Sequence, residues 1–245
     1  MKILSDLCYC EEHKQYLDLY LPECETFPVF IYFHGGGLVS GDKGTEPVMY
    51  KFLAEHGVAV VAPNYRLYPK AKYPDFLTDS AKAVAWVFEN IHQYGKARGI
   101  YVGGSSAGGY ISQMLCFDDS WLSKHGIKPT DIAGFVHDAG QPTCHFNVLK
   151  ERGLDERRII IDEAAPLYHV DEHSSDVPML LIVSDQDIEN RYEQTMLLAA
   201  TLKHFGHTEN VTLKLMHGTH CAYTNAADPD GNSILGQLVL EWMQR

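Results

Sequence analysis

Three residues far apart in the chain, Ser106, Asp187 and His220, could together activate a hydroxyl group. A serine hydroxyl is a weak nucleophile at neutral pH. It needs a histidine to take its proton and an acid to orient that histidine. Ser106 stands in Gly103-Gly104-Ser105-Ser106-Ala107-Gly108-Gly109, with glycines two residues before and two after. In a strand-to-helix turn such glycines leave room for the neighbouring strand and helix, and the serine stands clear of the sheet. A second glycine run, His34-Gly35-Gly36-Gly37, leaves backbone N–H groups unshielded. The amides of Gly36, Gly37 and Ala107 are the candidate donors to a developing oxyanion. The chemistry these groups imply is acyl transfer.

Each role has a rival. Ser105 neighbours Ser106, but only Ser106 is flanked by glycine on both sides at that spacing. Asp185 and Glu189 lie close to Asp187. His217 is the alternative base; it falls at a strand end, where packing is the expected role, whereas the loop beyond Gly218 can reach over Ser106.

The elements that must position these groups are readable from periodicity. Tyr16 to Leu21 alternates apolar and polar residues, the pattern of a half-buried and antiparallel strand. Apolar runs at Pro28–Phe33, Val58–Pro63, Ile100–Val102, Ile132–His137 and Val177–Val183 predict strands, most of them covered on both faces, and Val211–Met216 is the last predicted strand. Helices are predicted over Thr45–His56, from Tyr73-Pro74 to about Ile91, after Ser106 to about Cys116, over Tyr192–His204 and over Ser233–Trp242. Strands and helices thus alternate, which predicts an α/β architecture: a mostly parallel sheet with helices on both faces. In such sheets functional residues collect at the carboxyl ends of strands. His34, Ser106, Asp187 and His220 all fall just after one. Residues 139–175 are less regular and form a natural place for a small lid or substrate wall.

Composition sets further bounds. The 245 residues show no repeat or linker, so one domain over 1–245 is expected. A net charge of −12 argues against nucleic acid or an anionic membrane surface as the main partner. No apolar run reaches spanning length and no signal peptide opens the chain, so a cytoplasmic protein without membrane insertion is expected. Six scattered cysteines read as reduced thiols. Cys8, Cys10 and Cys24 do not have the spacing of a zinc knuckle, and no metal site is expected there.

The chain resembles the α/β-hydrolase-fold esterases, especially the hormone-sensitive-lipase-like and ferulic/acetyl-esterase-like branches. The resemblance rests on Leu17-Asp18-Leu19-Tyr20-Leu21-Pro22, on His34-Gly35-Gly36-Gly37 with Gly41-Asp42-Lys43, on Tyr65-Arg66-Leu67 with Pro69 and Tyr73-Pro74, and on the serine turn. Ala165-Pro166-Leu167-Tyr168-His169-Val170 and the loops of Asp187 and His220 complete it. It implies Ser106, Asp187 and His220 as a triad in the chain order nucleophile, acid, base, and Gly36, Gly37 and Ala107 as the oxyanion hole. Two positions depart from the lipase-like pattern: Ser105 stands where an acidic residue is frequent, and Ser184 where the acid loop opens with glycine. With the first predicted strand inside the opening residues of this sequence, the long N-terminal cap of many lipase-like relatives is not expected.

The expected function is a serine carboxylesterase for small or short-chain acyl esters, with a small-molecule ester as partner and no cofactor or metal. An arylformamidase-type amidase with the same machinery is the alternative, and a hydrolase-fold binding protein without catalysis is a third reading. Leu38, Tyr65, Tyr110, Gln141 and Tyr223 are pocket neighbours on position alone, and each could equally be packing in the scaffold.

Overall fold

A computed structural model describes residues 1–172, 174 and 177–245. Its strands are β1 (Lys2–Cys10), β2 (Gln15–Leu21), β3 (Thr26–Phe33), β4 (Ala59–Pro63), β5 (Lys96–Ser105), β6 (Gly134–Asp138), β7 (Met179–Gln186) and β8 (Val211–Thr219). The α-helices are α1 (Pro47–Glu55), α2 (Asp75–Asn90), α3 (Ala107–Phe117), α4 (Ser120–Ser123), α5 (Phe146–Glu151), α6 (Arg191–His204) and α7 (Ile234–Met243). The end of the 139–175 segment, at 173 and 175, lies outside the described residues.

The eight strands form one sheet in the order β1-β2-β4-β3-β5-β6-β7-β8. β1 pairs antiparallel with β2 and β2 antiparallel with β4. All other neighbours are parallel. β2 is antiparallel as its alternation suggests but is not half-buried: Leu17–Leu21 are buried, with Leu17, Leu19 and Leu21 in one core cluster and Tyr20 packed in the other. The apolar runs of β4, β3, β5, β6 and β7 mark the parallel part that is covered on both faces, whereas the parallel edge strand β8 is half-buried to exposed along its length.

Side chains alternate across β3, and each face has its own helices. Val29, Ile31 and Phe33 pack with Leu77, Ala81 and Val84 of α2, Ile111 and Leu115 of α3, and Leu198 of α6. Phe30 and Tyr32 face the other way and pack with Met49 and Leu53 of α1 and Leu235, Val239 and Trp242 of α7. Two helix caps differ in kind. Ser233 caps α7 by accepting from the Gly236 amide, whereas α1 opens with Pro47 at its first position after an uncapped Glu46.

Two strands run further than their apolar runs suggest. β7 continues through Ser184-Asp185-Gln186, and β8 continues through His217-Gly218-Thr219. Parallel pairing holds these polar ends in the ladder, with Gln186 opposite Thr219 across a register shift. Backbone pairing extends past the point where side-chain burial stops, and hydrophobicity cannot report it. β1 carries no strong apolar run, and its place in the sheet comes from pairing with β2.

Candidate active site

The turn around Ser106 is built by close packing. Ser106 has φ 55° and ψ −111°, in the region that non-glycine residues rarely occupy. Such a conformation costs on the order of 1–3 kcal/mol and must be held by its surroundings. Here the Ser106 amide donates to the Asp138 carbonyl (2.8 Å), and its own carbonyl accepts from the Tyr110 amide (2.9 Å). The flanking glycines are sterically required. A Cβ on Gly104 would lie 2.5 Å from the Phe33 carbonyl oxygen and 2.6 Å from the Gly108 carbonyl carbon. A Cβ on Gly108 would lie 1.9 Å from the same Phe33 oxygen. The helix therefore starts directly against β3, and Ser106 stands at the crest.

The hydroxyl of Ser106 meets His220, with 2.8 Å between Oγ and Nε2. The other ring nitrogen of His220, Nδ1, lies 2.5 Å from Asp187 Oδ1. The Asp187 side chain is fully buried. It also accepts from the Ile188 amide (2.8 Å) and the Ser184 amide (3.3 Å). Burial alone would push its carboxyl up. The hydrogen bond and charge of His220 and the two amides outweigh it, and the carboxyl is held below its ordinary value. With Asp187 charged, Nδ1 keeps its hydrogen and Nε2 is left to accept from Ser106.

The rivals are placed elsewhere. Ser105 points into the interior, where its hydroxyl bonds to Asp138 and to the Tyr32 hydroxyl. The Tyr223 hydroxyl donates to the other oxygen of Asp138. Burial raises the Asp138 carboxyl to about 6, against the lowering effect of these bonds. His217 and Asp185 pair with each other, and the Gly218 amide adds a 2.9 Å bond to Asp185. The expectation that His217 is packed at the strand end is corrected here. Its side chain is 96% exposed, because β8 is an edge strand whose flank is half-buried to exposed along its length.

The glycine loop after β3 curls beside Ser106. Gly36 and Gly37 have φ of 107° and 63°, and the Gly36 carbonyl takes the amides of Val39 and Ser40. Among the described residues the amides of Gly36 and Gly37 have no hydrogen-bond partner in the protein. Ala107 is the first residue of α3, so its amide has no partner within the helix. His34 holds the loop from below. It is buried, stacks on Tyr65 with ring centroids 4.3 Å apart, and its Nδ1 lies 2.7 Å from the Gly35 carbonyl oxygen.

These groups open onto a cavity of about 460 Å³ lined by Gly35, Gly36, Gly37, Ser106 and His220, with Glu46, Phe146, Ile188, Cys221 and Thr224 among the remaining walls. Another cavity, about 600 Å³, lies around Asp118, Lys128 and Tyr168 and is lined by none of Ser106, Asp187 and His220. Of the five pocket neighbours expected from position, none lines the Ser106 cavity. Leu38 and Tyr110 are fully buried core residues. Tyr65 donates to the His34 carbonyl oxygen and Tyr223 to Asp138. Gln141 is buried against Thr143 and Cys144 and borders an adjoining cavity. The true walls, Phe146 and Ile188 in particular, come from segments whose path the sequence does not fix. An apolar residue directly after Asp187 was the one available hint at Ile188.

Similarity to known proteins follows the same lines. The BD-FAE family model matches residues 17–125, which include the glycine loop and the serine turn. The computed structure superimposes on esterase B of Lactobacillus rhamnosis with a TM-score of 0.81 at 20% identity, over 99% of this chain and 85% of that one. The chain has the α/β-hydrolase fold. This α/β-hydrolase-fold chain is also 38% identical over 178 residues to the probable carboxylic ester hydrolase LipM of Mycobacterium tuberculosis, covering 64% of the chain and 40% of LipM. It is 32% identical over 135 residues to kynurenine formamidase of Danio rerio, covering 54% of the chain and 44% of that enzyme. The chain thus spans less than half the length of these curated relatives. No helix among the described residues is long and apolar enough to cross a membrane.

Proposed function

We propose that the chain is a serine carboxylesterase for small or short-chain acyl esters, with Ser106 as nucleophile, His220 as base and then acid, and Asp187 as orienting acid. The observation that carries this reading is the continuous contact from Ser106 Oγ to His220 Nε2 and from His220 Nδ1 to Asp187. His220 removes the Ser106 proton as Oγ attacks the ester carbonyl. The resulting oxyanion lies beside the amides of Gly36, Gly37 and Ala107. Collapse expels the alcohol, which takes the proton from His220. The acyl group is then on Ser106, and a water activated by the same histidine releases it. The modest cavity supports a small acyl or alcohol group. Phe146 on its wall supports a role for the 139–175 segment as a substrate wall within one hydrolase domain over 1–245.

A formamide-cleaving amidase is the second reading, supported by the similarity to kynurenine formamidase. Comparing kcat/KM for p-nitrophenyl acetate and N-formylkynurenine tests the two. The esterase reading expects p-nitrophenyl acetate to be turned over and Ser106→Ala to abolish that turnover in a folded protein. Turnover that survives Ser106→Ala overturns the assignment of the nucleophile.

A further inference from the structure

The wall of the Ser106 cavity contains a carboxyl that the acyl-transfer scheme does not use. Glu46 lies between the glycine loop and α1, is only 3% exposed, and lines the cavity with Ser106, His220, Gly36 and Gly37. One of its oxygens, Oε2, accepts from the Tyr50 hydroxyl at 2.8 Å. Tyr50 sits one turn further along α1 and is itself fully buried between Tyr20 and Tyr32, so this bond fixes the carboxyl in place. The other oxygen, Oε1, accepts no hydrogen bond among the described residues.

No cation compensates for it. Glu46 forms no salt bridge among the described residues, and nearby Lys43 is engaged by Asp6 and Asp18. The charged groups that act on it are carboxyls, Asp138 and Asp42. Burial raises the Glu46 carboxyl to about 7, against the lowering effect of the Tyr50 bond. Oε1 is thus available to a donor from the cavity, and a ligand that covered it without supplying one would incur a desolvation cost of roughly 1–3 kcal/mol. Tyr50 alone would be served equally well by a glutamine. The carboxyl lines the same cavity as Ser106 and asks for a donor from the ligand.

The rest of the cavity fits this reading. The lining combines polar Ser40, Thr45, Glu46 and Thr224 with apolar Phe146 and Ile188. A substrate with a hydroxyl or ammonium on one side and hydrocarbon on the other would match both. We propose that Glu46 is a specificity-determining residue whose Oε1 receives an O–H or N–H of the substrate near the scissile bond. The pocket then prefers donor-bearing small esters over plain alkyl esters of the same size. This inference rests on the serine-hydrolase reading of Ser106.

The test uses matched esters: ethyl butyrate, ethyl 3-hydroxybutyrate, ethyl 3-aminobutyrate and 2-hydroxyethyl butyrate. Active sites are first counted with a fluorophosphonate probe, and kcat/KM is taken as a ratio to ethyl butyrate within each variant, so a misfolded fraction cancels. The wild type is expected to favour at least one donor-bearing ester. That ratio should fall about tenfold or more in Glu46→Ala, as for a lost hydrogen bond to a charged group. In Glu46→Gln a hydroxyl preference should survive and an ammonium preference should not, which separates the two donor types. Tyr50→Phe keeps the carboxyl but releases its anchor, and should lower the preference by less than Glu46→Ala does. Ratios unchanged in Glu46→Ala, or no donor preference in a labelled and active wild type, overturn the inference. Absence of both labelling and hydrolysis overturns the serine-hydrolase reading beneath it.

Discussion

The ends of β7 and β8 hold two histidine–aspartate pairs of the same composition. Asp187 and His220 form one, and Asp185 and His217 the other. The members differ by two residues on the acid side and three on the base side. The inner Asp187 side chain is fully buried and takes two backbone amides, while the outer His217 ring is almost entirely exposed. Only the inner histidine reaches a serine. A dyad is therefore not a site by its residue types. What separates the two is the strained turn at Ser106, which puts a hydroxyl within reach of one ring and not the other, and the bend after Gly218 that carries His220 back over the sheet. Gly218 has φ 112°, which makes glycine the natural residue at that bend.

If this contrast is right, the two histidines respond very differently to removal. His220→Ala is expected to lower kcat by about 10⁴-fold or more, since base and orientation are lost together. His217→Ala should change kcat by less than about twofold, because a solvent-exposed pair contributes little. Steady-state hydrolysis of p-nitrophenyl acetate by both variants measures the gap. A large loss in His217→Ala would break the comparison.

The acids sharpen it. Asp187→Asn keeps the shape but leaves His220 free to present the wrong nitrogen to Ser106, and a loss approaching 10⁴-fold in kcat is expected. Asp185→Asn removes the charge and the acceptor opposite His217 while its amide oxygen can still accept from the Gly218 amide, and it should cost no more than a fewfold loss in kcat. The two substitutions measured side by side on one ester decide whether the acid is Asp187.

A smaller effect concerns pH and stability. The Asp187 carboxyl titrates below its ordinary value in the folded protein, so near pH 4 the unfolded chain binds more protons than the folded one. Stability from this group is present above the unfolded value of about 3.9 and is lost as pH falls through the folded value. Urea unfolding between pH 5 and pH 3 should therefore show a steeper loss in the wild type than in Asp187→Asn. Equal slopes would mean that Asp187 is not held charged by His220 and the amides.

Much of this was legible in the sequence because the physics is local. Apolar runs announce buried parallel strands, the alternation at Tyr16 to Leu21 announces the antiparallel one, and glycines at 104 and 108 announce a turn where a Cβ would strike β3. The choice of Ser106 over Ser105 follows from those glycines and agrees with the inward bonds of Ser105 to Tyr32 and Asp138. The cavity walls were not legible. Glu46, Phe146, Ile188 and Thr224 approach Ser106 from four separate segments, and no periodicity records where a loop returns. Tyr65, Tyr110 and Tyr223 looked like pocket residues by position, yet each uses its hydroxyl to tie the scaffold together. The exposure of His217 was hidden for a related reason, since strand order and not sequence makes β8 an edge.

The central claim is that Ser106 alone among the serines is activated. Treating the native protein with a fluorophosphonate probe and mapping the modified peptide tests it most directly. The account predicts a single adduct on Ser106, lost in Ser106→Ala and in His220→Ala and retained in His217→Ala. No adduct on the native protein, or one on Ser105, would contradict it.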